Sequence, residues 1–338
     1  MKSSTVTIKD IAKALGVSPS TVSRALKDHP DISKATKDQV NKLAKELNYR
    51  PNPIALSLKS RRSNVIGVVI PEIVHYFFSS VISGIEKVAN EHGYSVMVSQ
   101  SSESYQKEKE VCNTFLYSII DGLLISVSKE TENSEHLRQL NEEGIPVVFF
   151  DRMLEDFESD RVLINDYEGA FQATEHLIIE GRRRIIHFAG PKNSLISKNR
   201  QKGYLEAHRK NGVVIDESLI IPCDNFEKAL VETQKIIDEG LKFDSIFCVN
   251  DFTAAGAIKT LLRNKIDVPN DVSVIGFGND YIADMIEPTL TTVSQPGFTM
   301  GERAMQMLIN RINSEKDHPI QTEILPTRIM IRNSTLKK

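Results

Sequence analysis

The sequence predicts an all-α head of about 50 residues, a short linker, and an α/β body of two lobes, each built on a parallel sheet. Three observations lead there. The chain is 338 residues long, more than one hydrophobic core normally serves, since a domain averages roughly 150 residues. Its first 48 residues place apolar side chains at helical spacing, punctuated by glycine and proline. From Val65 onward, β-branched runs alternate with helical patterns, the signature of parallel sheets covered by helices.

Charge divides at the same place. The net charge is −3, yet residues 1–62 hold 13 Lys and Arg against 5 acids, +8, while the remainder holds 29 against 40, −11. A basic head on an acidic body points to a polyanion as the head's partner. Several classes fall away. No apolar run reaches the ~18 residues needed to cross a bilayer. MKSSTVTIKD lacks the apolar core of an export signal, so a cytoplasmic protein without membrane partners is expected. Cys112, Cys223 and Cys248 are far apart with no CxxC, which fits neither a disulfide framework nor a thiolate zinc site.

In the head, Thr7 stands as N-cap with Asp10 three residues on, and Ile8, Ile11, Ala12 and Leu15 share one helical face. Gly16 supplies a turn, Val17 fills the angle, and Ser18-Pro19 opens a second helix at once as N-cap and first-turn proline. Val22 and Leu26 face inward on it, and a third helix from Ser33 to about Asn48 closes the core with Val40, Leu43, Ala44 and Leu47. Helix, glycine turn, helix is the helix-turn-helix arrangement, whose second helix enters a major groove by its N-terminal end. Arg24 there can pair bidentately with a guanine edge, and Ser20 can reach a base. Thr7, Ser18, Thr21 and Ser23 suit phosphate contacts, which position the protein without specifying sequence.

TIKDIAKALGVSPSTVSRAL, followed by ISKATKDQVNKLAKELNYRPNPIALSLKS, resembles the DNA-binding head and hinge of the lactose-repressor (LacI/GalR) family without a gap over residues 6–60. Pro19 and Ser20 depart from members with larger polar residues there, so less base reading is expected from them. Asn52-Pro53 opens Ile54–Lys59, six residues that are too few for a stable isolated helix. The resemblance implies that two such hinge helices, one per subunit, pair in the operator's minor groove. Leu58 would wedge between base steps, with Ala55 close to the backbone.

In the body, strands are expected at 65–70, 95–99, 122–126, 146–150, 185–189, 245–249 and 272–277. Helices are expected near 79–92, 106–117, 167–180, 197–211, 226–239, 251–264 and 298–311. Ligands of such sheets bind outside the strands' carboxyl ends, which directs attention to Asp151-Arg152, Asn250-Asp251 and Gly278-Asn279. Catalysis finds little support: no GxSxG, HExxH, P-loop or GxGxxG occurs, and the 8 histidines show no close pair at metal-ligand spacing. No enzyme activity, cofactor or metal is expected. Asp251 is expected to cap the helix that follows it.

The residue types at the strand ends suit a polyol. Asp, Asn, Gln and Arg match adjacent hydroxyls, and an aromatic face covers the apolar side of a sugar ring. The body resembles the periplasmic-binding-protein-like core of the same family over roughly 64–332. The motifs are IPxxxxxFF (Ile70 to Phe78), FFDR (149–152), NRQKGY (199–204), VNDFTAAG (249–256), VIGFGN (274–279) and TLTTVSQP (289–296). That resemblance implies that Phe77 and Phe78 stack on the ring, Asp151 and Arg152 bind hydroxyls, Arg200 binds the sugar, and Asn250 and Gln295 contact it from the second lobe. Gly278 stands where sugar-binding members usually carry an aspartate. With Asp151 then the one acid beside Arg152 and Arg200, the effector is expected to be either a sugar with fewer hydroxyls at that end or an acidic or otherwise modified sugar.

The expected organisation is a DNA-binding domain over 1–50, a hinge over 51–64, and an effector-binding core over 65–332. The N-lobe takes about 65–163 and 294–322, the C-lobe about 164–290 and 323–332. Two heads on half-sites of a pseudo-palindromic double-stranded operator require a homodimer. Val81, Ile82, Ile85 and Val88 are either its contact face or core packing within the lobe, and no trailing leucine heptad suggests a tetramer. The function expected is a transcriptional repressor controlled by a small sugar-like effector.

Overall fold

The structure, a computed structural model, describes residues 6–49, 62–118, 120–314 and 319–336. The chain divides into two compact units, Met1–Ser63 and Asn64–Lys338. In the first, α1 (Ile8–Leu15), α2 (Pro19–Leu26) and α3 (Lys34–Glu46) enclose a small core of Ile11, Ala12, Val22, Ala25, Val40 and Ala44. The Asp10 carboxylate accepts from the Thr7 amide at 2.8 Å and its hydroxyl at 2.7 Å, tying down the start of α1. Gly16 takes φ 64°, a left-handed conformation that glycine adopts without a Cβ penalty. Ser18 accepts from the Thr21 amide at 3.0 Å and Ser33 from that of Thr36 at 3.2 Å, so both later helices begin on the expected caps. Leu47 departs from expectation: it lies just past the end of α3 and is 38% exposed, and the small Ala25 takes part in the core instead.

The second unit holds two six-stranded sheets. The first contains β1 (Val65–Ile70), β2 (Ser95–Gln100), β3 (Gly122–Ile125), β4 (Val147–Phe150), β5 (Asp160–Ile164) and β11 (Thr322–Leu325), in the order β11-β5-β4-β3-β1-β2, all parallel. The second contains β6 (Ile185–Ala189), β7 (Ile220–Pro222), β8 (Ser245–Cys248), β9 (Ser273–Gly278), β10 (Thr291–Ser294) and β12 (Arg328–Met330), in the order β12-β10-β9-β8-β6-β7. Only its β10–β12 pair is antiparallel. Strands β3, β4, β6 and β8 are buried throughout, because helices cover both faces of each sheet and no solvated face calls for alternating polar residues.

The covering helices are α4 (Tyr76–Glu91), α5 (Tyr105–Tyr117), α6 (Glu135–Glu142), α7 (Asp166–Ile179), α8 (Leu195–Lys210), α9 (Phe226–Asp238), α10 (Asp251–Arg263), the single turn α11 (Ile282–Met285), and α12 (Gly297–Asn313). The chain crosses between the sheets three times, after Ile164, Ser294 and Leu325. The last crossing comes later than the expected switch at 322/323, because Thr322–Leu325 pairs with β5 in register Thr322↔Arg161 to Leu325↔Ile164.

Helices α4 and α12 lie in close contact. A Cβ on Gly84 would collide with the Phe298 carbonyl, and one on Gly301 with that of Val81. This decides between the two readings of the Val81–Val88 stripe in favour of core packing. Val81 and Ile85 are fully buried and Val88 nearly so within the core cluster that includes Met300, Ala304 and Met305, with Ile82 half-buried against it. The apolar stripe that suggested an intermolecular surface belongs to the lobe's own packing.

Candidate functional site

On the head, Thr7, Ser18, Ser20 and Arg24 are exposed, and Thr21 and Ser23 are half-buried. Ser18 Oγ lies 2.7 Å from Ser20 Oγ and 2.8 Å from Thr21 Oγ1, so the three hydroxyls form one cluster at the N-terminus of α2. Ala55, Leu58 and the expected hinge helix lie outside the described residues.

In the second unit the carboxyl ends of β1, β3, β4, β6, β8 and β9 frame a cleft between the sheets. Asp151, immediately after β4, holds φ 62°, a conformation that short polar side chains tolerate best. It is buried; Ser126 Oγ donates to it at 3.4 Å, and Arg152 Nε lies 3.9 Å away. Burial pushes the Asp151 carboxyl up to about 6, with Arg152 opposing the rise. Arg152 Nη1 donates to both Glu103 oxygens at 2.9 and 3.1 Å. Burial raises the Glu103 carboxyl, but Arg152, the Lys129 amide and the Lys129 charge together hold it below the usual range.

Arg200 is held from three sides. Its Nε donates to Asp166 Oδ1 at 2.8 Å, Nη1 to the Val249 carbonyl at 2.5 Å, and its guanidinium carbon lies 3.6 Å from the Phe277 ring centroid. The pair is almost wholly buried, and burial raises the Asp166 carboxyl against the pull of Arg200. Such a pair orients its members strongly while adding little net stability, because desolvation offsets the attraction.

Asn250 is the N-cap of α10, accepting from the Thr253 amide at 2.8 Å and donating to the Asp224 carbonyl at 2.9 Å. The cap expected of Asp251 therefore belongs to its neighbour. Asp251 turns inward, accepting from Thr292 Oγ1 at 2.5 Å and the Asp280 amide at 2.7 Å, and burial pushes its carboxyl up to about 6. It fits there because position 276 is glycine, whose Cβ would collide with Asp251 Oδ1. A Cβ on Gly278 would lie 3.4 Å from Asp251 Oδ2 and 3.8 Å from Gln295 Oε1.

Phe77 and Gln295 line one pocket of the cleft together with Tyr76, Ser80, Gly278 and Asn279. Phe78 does not join them: it is 4% exposed in the core, with its ring 5.2 Å from that of Phe77. Successive positions at a helix start point in different directions, so one of two adjacent aromatics turns inward.

The lobes also touch directly. Asp280 Oδ2 accepts from the Tyr76 amide at 3.2 Å, and the Tyr76 and Tyr281 ring centroids are 4.1 Å apart. Lys129 Nζ lies 3.2 Å from Asp224 Oδ2, and Asn193 Nδ2 donates to the Lys129 carbonyl at 3.2 Å.

Comparison with known proteins decides the family. Residues 7–52 match the family described as bacterial regulatory proteins, lacI family, and residues 63–333 match periplasmic binding proteins and sugar binding domain of LacI family. The chain belongs to the LacI family. It is 33% identical to the HTH-type transcriptional repressor PurR of Vibrio atlanticus over 314 residues, 92% of this chain and 93% of that protein. The solved structure of the transcriptional regulator CelR–cellobiose complex aligns with TM-score 0.74 at 27% identity, over 97% of this chain and 99% of that one. The lac repressor dimer bound to operator and the anti-inducer ONPF aligns with TM-score 0.87 over 99% of this chain and 100% of that one; its identity, 24%, speaks for the fold.

As a LacI-family protein the chain is a DNA-binding transcriptional regulator with an effector-binding core, and not an enzyme. No described helix is long and apolar enough to cross a membrane. Sequence reasoning passed over Glu103, Ser126, Lys129, Asp166 and Asp280, all beside the cleft residues. The signal was available for four of them: Glu103, Ser126, Lys129 and Asp280 lie one to four residues past the ends of β2, β3 and β9, and the rule applied to β4, β8 and β9 covers those positions equally. Asp166 follows β5, a strand that was not expected in advance, and its partner Arg200 is 34 residues away.

Proposed function

We propose that this LacI-family regulator is a cytoplasmic repressor, acting as a homodimer, whose operator affinity is set by a neutral polyol of sugar type bound between its two lobes. The observation that carries the neutral character is that both arginines expected to face the ligand already have carboxylate partners, Arg152 with Glu103 and Arg200 with Asp166. Asp151 is not the sole acid beside these arginines. Adding Glu103 and Asp166 leaves the two cations balanced before Asp151 is considered. An anionic ligand would enter against that carboxylate, and losing a favourable cation partner makes burying its charge costly.

The proposed contacts are Asp151 and Arg152 on the first lobe, Arg200, Asn250 and Gln295 on the second lobe and crossing, and Phe77 against the ring face. Phe78 supports Phe77 from behind. On DNA, Arg24 reads a base, Ser20, small where related members carry larger polar residues, contributes little, and Thr7, Ser18, Thr21 and Ser23 meet phosphates. Pairing of chains follows from geometry: one head makes few contacts, and dyad-related half-sites need two. By linkage, a ligand that prefers one arrangement of the lobes changes operator affinity by the factor with which the operator changes its own.

A thermal-shift screen over neutral, acidic and phosphorylated sugars, cellobiose among them, tests this reading. Each hit is then added to an operator-binding measurement repeated across salt concentrations, because phosphate contacts make affinity fall steeply with salt. Stabilisation by neutral sugars is expected. A response confined to uronates or sugar phosphates would overturn the neutral assignment.

A further inference from the structure

We propose that Lys129 is the positioning residue that sets how readily the two lobes close, by joining Arg152 to Asn250 through one polar chain across the cleft. The path is continuous. Arg152 binds Glu103 at 2.9 Å, and Glu103 Oε2 accepts from the Lys129 amide at 2.8 Å. The Lys129 ammonium lies 3.8 Å from Glu103 Oε1 and 3.2 Å from Asp224 Oδ2 on the opposite lobe. The Asp224 carbonyl then accepts from Asn250 at 2.9 Å. The proposal rests on the reading of Arg152 and Asn250 as effector contacts.

Lys129 is held unusually well for a lysine. Its amide, carbonyl and ammonium are all engaged, the last two with Asn193 and Asp224 of the second lobe. The loop that carries it is anchored from beneath by the buried Glu108 carboxylate, which accepts from the Ser128 amide at 2.6 Å and Thr131 Oγ1 at 2.9 Å, with His136 Nε2 also 2.9 Å away. A lysine on a free loop gains little from one ion pair, because ordering its side chain offsets the attraction. Here the anchored loop has already ordered the backbone, so the ammonium reports on the position of the second lobe.

Function follows from the two ends of the chain. A ligand that draws hydrogen bonds from Arg152 or Asn250 changes the positions of Glu103 and Asp224, and with them the fit of Lys129 between the lobes. In the other direction, weakening the Lys129 contacts lowers the closed population. The affinity of any ligand that needs closed lobes then falls by the same fraction.

The test uses the full-length chain without ligand. Glu135→Cys and Glu227→Cys, one exposed position on each lobe, are spin-labelled; Cys112, Cys223 and Cys248 are all buried and stay unlabelled. Labelled chains are diluted into unlabelled ones, and the distance distribution is measured by pulsed electron resonance. Lys129→Met and Asp224→Asn should each raise the open-to-closed ratio about three- to five-fold, the size expected of one ion pair. The double variant should go no further than either single one, and Lys129→Arg should keep the native distribution. An unchanged distribution in Lys129→Met, equal opening in Lys129→Arg and Lys129→Met, or additive opening in the double variant would each overturn the proposal. Opening on loss of Lys129 in a protein that binds none of the screened sugars would leave the latch standing and remove only the sugar reading.

Discussion

Replacing Asp151 with asparagine should make the protein more stable and less able to bind its effector. Burial lifts the Asp151 carboxyl from 3.8 to about 6. At about 1.36 kcal/mol per unit, the ionised carboxylate therefore costs the fold roughly 3 kcal/mol. The sign follows from proton uptake. With the pKa raised in the folded state, the folded chain binds more protons than the unfolded one between about pH 4 and 6, so this contribution to stability is complete below the lower value and lost as pH rises through the higher. Asparagine keeps the size and an acceptor for Ser126 but carries no charge at any pH. Near pH 4 the two proteins should unfold together. At pH 7.5 the variant should unfold on the order of 6–12 °C higher, taking 2–4 °C per kcal/mol for a core of this size. Calorimetry at several pH values reads the difference directly, and subtraction removes the parallel contribution of Asp251. Sugar affinity should meanwhile fall roughly 10- to 100-fold through loss of charge-assisted hydrogen bonds. A difference in unfolding temperature that does not change between pH 4 and 7.5 would refute the account of a buried, reluctantly ionised carboxylate.

Other variants address other links. Arg24→Ala should cost about 1–3 kcal/mol on operator DNA and much less on unrelated DNA, read by fluorescence anisotropy at fixed salt; equal losses on both would make Arg24 a phosphate contact. Arg200→Met leaves Asp166 buried without its cation and should lower stability by about 3–5 kcal/mol, whereas Arg200→Met with Asp166→Asn should recover part of that loss in urea unfolding. Gly84→Ala forces a Cβ onto the Phe298 carbonyl, so α4 and α12 must separate, at a cost of about 1–3 kcal/mol in thermal unfolding.

The features readable in advance were those written in local chemistry. Ser18-Pro19 and Ser33 fixed helix starts because a cap is satisfied within three residues. The seven apolar runs named as strands are all strands; six are largely buried, as a strand covered on both faces has to be apolar throughout, while β2, at a sheet edge, alternates exposed and half-buried residues. The elements passed over lack that signature. α6 is mostly polar, β5 alternates as DRVLI, and β7, β11 and β12 are three or four residues at or near a sheet edge. The apolar stripe of α4 was visible, but periodicity says only that a face is covered. Whether a partner chain or the chain's own α12 covers it depends on Gly84 and Gly301, which allow the two helices to meet.

The same boundary separates what the sequence determined about function from what only the folded chain decided. Charge asymmetry, the helix-turn-helix spacing and the family motifs determined a DNA reader joined to a ligand-binding core, because each is carried by neighbouring residues. The ligand's charge was another matter. Asp151, Arg152 and Arg200 were all identified, yet their electrostatic meaning depended on Glu103, 49 residues from Arg152, and Asp166, 34 from Arg200. A cation's effect on a ligand is set by the carboxylates within a few ångströms, and that distance is established only when the three crossings bring the ends of distant strands around one cleft.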